Sequence, residues 1–129
     1  MQKLIKSGLV VGLAAAFLGA AAFAQSEGDS KPKPKHTIKD VMQGAMKKGL
    51  NKKVLSGKAS DKEKLELLDM YISLVENKPS KGDAASWQKF SGMAALAAAK
   101  VAVGREDGLK DLKEATKCAG CHKAHKPSK

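Results

Sequence analysis

Arginine and aromatic residues are scarce in this chain of 129 residues. Arg105 is the sole arginine, and Phe, Tyr and Trp together make up 4% of the sequence. A formal net charge of +11 brings nucleic acid to mind first, because clustered cations bind a phosphate backbone. With no arginine cluster and hardly a ring on which bases could stack, nucleic-acid binding is not expected. Strand signals are missing as well, and no internal repeat stands out. Nor are there paired carboxylates, an activated serine or a glycine-rich phosphate loop, so nothing points to an enzyme. Cysteine is confined to Cys118 and Cys121, close to the end of the chain. The positive charge is almost all lysine. Such a surface is either simply solvated or suited to docking an acidic protein partner or an anionic membrane face.

The first residues carry an address. Lys3 and Lys6 precede an apolar run from Gly8 through Phe23, which closes in "AAFA" before Gln25. A basic start, an apolar middle and small residues at the exit describe a secretory signal peptide over 1–24, cleaved after Ala24. The alternative is a retained membrane anchor, for which the run is short. Export to the periplasm is the expectation. Loss of Lys3 and Lys6 lowers the charge from +11 to +9. Residues 25–35 hold Pro32 and Pro34 among polar and charged residues and read as a flexible leader. Residues 36–129 form the expected domain.

Within that domain helical patterns recur. Thr37 and Asp40 resemble a helix start, followed by Ile38, Val41, Met42, Ala45 and Met46 on one face. Leu50, Val54 and Leu55 continue the pattern past Gly49, and Ser56–Ala59 reads as a turn. Ser60 and Glu63 form a capping box, leading a helix with Leu65, Leu68, Ile72 and Val75 along one stripe and Leu67, Tyr71 and Leu74 beside it. Residues 77–82 break that helix, and Asp83 is a good N-cap for the next. There Trp87, Phe90, Ala94, Ala97 and Val101 recur at helical spacing. Its alanine-rich stretch, 94–100, either leaves a slot for a flat ligand or merely favours helix. A last helix carries Leu109, Leu112, Ala115, Ala119 and His122, and Pro127 stops it. Four amphipathic segments with short connections predict an all-α chain, an antiparallel four-helix bundle running up-down-up-down.

Cys118-Ala119-Gly120-Cys121-His122 is a C-x-x-C-H pentapeptide, the attachment signature of a c-type haem. In such a site both cysteine sulfurs bond to the porphyrin and the histidine is the proximal iron ligand. On a helix, residues three and four apart share a face, which groups Cys118, Cys121 and His122. Three other chemistries use the same residues. A disulfide would close a trivially short loop and stabilise little. A thioredoxin-like pair belongs after a strand, and none is predicted. Zinc could draw on Cys118, Cys121 and two of His122, His125 and His36, but such sites split their ligand pairs between separated segments.

The motif closes the last helix instead of opening the domain. In this the chain resembles the cytochrome c′ and cytochrome c-556 family of four-helix-bundle cytochromes, from about His36 to Lys126. The resemblance implies one covalent haem c on the C-terminal helix, with Cys118 and Cys121 at the thioether positions and His122 as proximal ligand. It also allows a homodimer. Family members often follow the motif with an aromatic residue and an arginine. Here His125 and Lys126 stand in those places, and His125 is expected at the surface.

The family resemblance further implies that the first helix covers the haem. A methionine there gives a six-coordinate electron carrier, and an apolar residue leaves the iron open to small gases. Met42 is the first choice for the distal ligand, Met46 the second and His36 the third, although methionine is also a common core filler. Met70 and Met93 read as core. The expected function is that of a periplasmic carrier of single electrons, with Lys117, Lys123 and Lys126 steering acidic redox partners. The alternatives are a five-coordinate binder of nitric oxide or carbon monoxide, and a haem-free structural or metal-binding module.

Overall fold

The structure, a computed structural model, describes residues 33–128. The expected signal peptide (1–24) and most of the expected leader lie outside the described residues. Helix α1 (Ile38–Val41) runs directly into a π-helical segment (Met42–Lys47). Helices α2 (Leu50–Leu55), α3 (Asp61–Glu76), α4 (Ala84–Ala102), α5 (Gly108–Ala115) and α6 (Cys118–His125) follow. The chain is mostly helical, with no strand among the described residues. No helix there is long and apolar enough to cross a membrane.

Local chemistry sets the helix starts. Thr37 Oγ1 accepts from the Asp40 N–H at 3.1 Å, while the Asp40 carboxylate accepts from the Thr37 N–H at 2.9 Å. Ser60 and Glu63 repeat this reciprocal cap on α3, at 3.3 and 2.9 Å. Each box satisfies two amides that have no partner within the helix. Asp83 caps α4 through the Ser86 N–H at 2.8 Å. The first helical unit ends at Gly49, whose φ of 81° an L side chain rarely adopts. The wide turn before it is visible in the Lys48 N–H, which donates to the Gln43 carbonyl five residues back.

Hydrogen bonds and ion pairs tie neighbouring elements together. Asn77, at the end of α3, donates to the His36 carbonyl before α1, and Lys53 of α2 pairs with Glu63 at the start of α3. The Trp87 indole, early in α4, donates to the Leu74 carbonyl late in α3. Lys100 near the end of α4 bridges Asp107 and Asp111 at the start of α5. There the backbones touch: a Cβ on Gly108 would lie 2.8 Å from the Val101 nitrogen. Val41, Ala45, Leu67, Tyr71, Ala97, Ala98 and Leu112 fill the core between them.

Several expectations need correction. The buried face of α3 is Leu67, Met70, Tyr71 and Leu74, while Leu65 and Ile72 of the predicted stripe are exposed. Leu65, Leu67, Leu68, Met70, Tyr71, Ile72, Leu74 and Val75 spread over more than half of the helix circumference, and packing against Trp87 and Asn51 selects the face. Met93 and Leu109 are exposed, not core. The expected last helix is two helices, because the Thr116 hydroxyl donates to the Leu112 carbonyl and accepts from Asn51, ending α5. Lys35, the last residue of the expected leader, forms an exposed ion pair with Asp69.

Candidate functional site

Between α6 and the opposing π segment lies a cavity of about 640 Å³. That is within the range of about 300–1,000 Å³ common for cofactor and small-molecule sites. One wall is the π segment with Met42, Gln43 and Met46. The facing wall is α6 with Cys118, Cys121 and His122. Tyr71 and Leu74 of α3 and Trp87, Phe90, Ser91 and Ala94 of α4 complete the lining. All five candidate site residues therefore border one space, although 72 residues or more separate the methionines from the motif in sequence.

The local fold explains this arrangement. Thr116 ends α5 and Lys117 is extended, so the chain turns and α6 begins at Cys118. Cys118, Cys121 and His122 then sit three and four residues apart on one helix, as expected from the sequence. On the other wall, Val41 and Ala45 are fully buried and turn their side of the helix into the core. Met42 and Met46 flank them, half-buried, at the cavity edge. Gly44 makes room behind: a Cβ there would lie 2.6 Å from the Met70 Cε.

The cysteines are free thiols, Cys118 exposed and Cys121 half-buried. Burial pushes the Cys121 thiol above its ordinary range, so it is protonated at neutral pH. Burial, followed by the nearby Cys118 charge, pushes the Tyr71 phenol up strongly. Lys39, Lys47, Lys117 and Lys126 lie at the cavity edges, with no carboxylate side chain in the lining. Lys117 is partly neutralised by Glu114 at 2.6 Å.

His125 departs from expectation. It is buried at 5% exposure. Its Nδ1 lies 2.9 Å from the Lys81 carbonyl and its Nε2 lies 3.0 Å from the Ser86 hydroxyl. A carbonyl can only accept, so Nδ1 carries a proton, and in the neutral ring Nε2 then accepts from the Ser86 hydroxyl. Neither nitrogen has a lone pair to spare for a metal. Polarity alone suggested a surface residue, and the "SKG" turn that supplies Lys81 gave no sign of its fold partner. His36 is not at the cavity. Its backbone is tied to Ser73 and Asn77, and its ring lies 3.3 Å from Asp69. It is therefore set aside as a distal ligand. The zinc reading loses both of its extra histidines in the same way. Of the alanine-rich stretch, Ala94 alone borders the cavity, while Ala97 and Ala98 are core.

Comparison with known proteins gives no match to a family model, a curated protein or a solved structure. The chemistry of the site has to be judged on its residues. Two thiols and an imidazole on one wall, two thioethers on the other, an apolar space between and lysines around it suit a flat, apolar iron porphyrin bearing carboxylates. The residues fit haem c.

Proposed function

We propose that this chain is a monohaem c-type cytochrome with an antiparallel four-helix-bundle fold that carries single electrons. The observation supporting this reading is that the C-x-x-C-H motif and two methionines border the same cavity. Cys118 and Cys121 would hold haem c through thioethers, with His122 as proximal and Met42 as distal ligand, Met46 being the second choice. The bound group supplies one-electron chemistry at iron; a methionine sulfur favours the ferrous form relative to a second histidine. Tyr71, Leu74, Trp87 and Phe90 keep water from the interior of the site. Lys39, Lys47, Lys117 and Lys126, with Lys123 on the outer face of α6, attract acidic redox partners, an effect that salt screens. Export through residues 1–24 to the periplasm belongs to the same proposal, and no catalytic step on a substrate is part of it.

Expression of the full chain in a host competent in cytochrome maturation tests this reading. After denaturing electrophoresis, a peroxidase stain at the mass of the chain is expected, because thioether-linked haem survives denaturation. A colourless, stain-negative protein overturns the proposal.

A second reading has its own support. Met42 and Met46 both pack against the core, and thioethers committed to packing would leave the iron open to nitric oxide or carbon monoxide. The purified ferric protein separates the two. A low-spin spectrum with a sulfur-to-iron charge-transfer band belongs to the electron carrier, and a high-spin spectrum with ready carbon monoxide binding on reduction belongs to the gas binder.

A further inference from the structure

His125 is the sole buried residue of α6. The helix that carries the motif has α4 as its main helix neighbour, and His125 is where the two are joined. Its ring stands edge-on to Trp87 at 5.3 Å and 77°, and to Phe90 at 6.3 Å and 72°. Its two nitrogens reach in different directions, one to Ser86 in the first turn of α4 and the other to the Lys81 carbonyl in the α3–α4 loop. The loop is shaped around it. Gly82 has a φ of 87°, and a Cβ there would lie 2.4 Å from the His125 Nδ1. Five residues earlier Gly120 faces Phe90, whose Cε1 would lie 3.4 Å from a Cβ at that position.

We propose that His125 is a positioning residue that fixes the rotation and depth of α6, and so sets where Cys118, Cys121 and His122 meet the cavity. What α6 carries rests on the cytochrome reading; the anchoring itself does not. Two hydrogen bonds from opposite sides of the ring and two edge-on rings define one orientation of the imidazole. An apolar ring of similar size would fill the pocket but leave Ser86 and Lys81 without their partner. Because His125 lies three residues after His122, a helical turn transmits any rotation of its ring anchor to the motif. His125 is not itself offered as a ligand.

Hydrogen exchange and the ferric absorption spectrum of the full chain, compared among wild type, His125→Ala, His125→Asn and Ser86→Ala, test the inference. In His125→Ala the amides of α6 are expected to exchange faster by about tenfold or more, with those of α3 and α4 little changed. His125→Asn, whose amide can still donate to the Lys81 carbonyl, restores part of the protection. Ser86→Ala loses less than His125→Ala. In the haem-loaded protein, well below its melting temperature, His125→Ala broadens or shifts the ferric Soret band and His125→Asn moves it back. Stability loss alone would not move the band of the folded fraction. Unchanged α6 exchange in His125→Ala overturns the inference, as does equal acceleration in every helix. If wild type takes up no haem while α6 still loosens in His125→Ala, the anchor stands and the cytochrome reading falls.

Discussion

The phenol of Tyr71 donates a 2.8 Å hydrogen bond to Oδ1 of Asn51, joining α3 to α2 where both are buried. The Asn51 amide passes the connection on to Thr116 at 3.1 Å, and Thr116 closes it on the Leu112 carbonyl at 2.7 Å. This chain of bonds ends α5 two residues before Cys118. It therefore links the core to the point at which the motif helix begins.

Tyr71→Phe keeps the ring and deletes the donor. Asn51 Oδ1 is then left buried without its partner, which costs about 1–3 kcal/mol. The denaturant midpoint should fall accordingly, with the slope of the transition unchanged. An unaltered midpoint would show that water replaces the phenol.

The same phenol makes stability depend on pH in the alkaline range. Its folded pKa lies above the unfolded value of about 10, chiefly because burial disfavours the phenolate. The unfolded chain therefore releases this proton first. The contribution is fully present below about pH 10 and is lost as pH rises beyond it toward the folded value. The lysines titrate nearby, so the useful quantity is a difference. Between pH 9 and pH 11, wild type should lose more stability than Tyr71→Phe.

Two glycines in helices should respond oppositely to alanine. Gly92 lies inside α4 with nothing within 4 Å of a new Cβ. Gly92→Ala should stabilise by about 0.8–1.0 kcal/mol, the difference in helix propensity. Gly108 faces the backbone of α4, where a Cβ would approach the Val101 nitrogen to 2.8 Å and the Lys100 carbonyl carbon to 3.0 Å. Backbone cannot step aside as a side-chain end can, so Gly108→Ala should destabilise by about 1–3 kcal/mol. Thermal melts of the two variants, read against wild type, check both signs.

The parts of this architecture that were legible in the sequence are those set by short-range chemistry. The Ser60–Glu63 capping box and the Asp83 cap involve partners three residues apart, and the spacing of Cys118, Cys121 and His122 follows from helix geometry alone. The failures involve distant partners. The residues 113–118, "KEATKC", contain no glycine or proline, so the break at Thr116 is invisible without Asn51, 65 residues away. On α3, two stripes compete within one wide apolar face, and the positions of Asn51 and Trp87 favour Tyr71 over Ile72. His125 reads as a surface residue until the loop carbonyl of Lys81 is brought to it, 44 residues away in sequence.

Met42 and Met46 provide the last prediction. Both border the cavity opposite α6, and both are half-buried, so alanine at either costs stability of the same order, about 2 kcal/mol. Melting temperatures cannot tell ligand from filler here; the ferric spectrum can. If Met42 is the distal ligand, Met42→Ala should turn a low-spin ferric spectrum high-spin, remove the sulfur-to-iron band and admit carbon monoxide on reduction, while Met46→Ala leaves all three features in place. The π-helical turn that carries both residues makes the reverse result equally readable: loss of the band in Met46→Ala alone assigns the sulfur to Met46. A wild-type spectrum that is already high-spin, and indifferent to both substitutions, assigns both methionines to packing and the iron to gas binding.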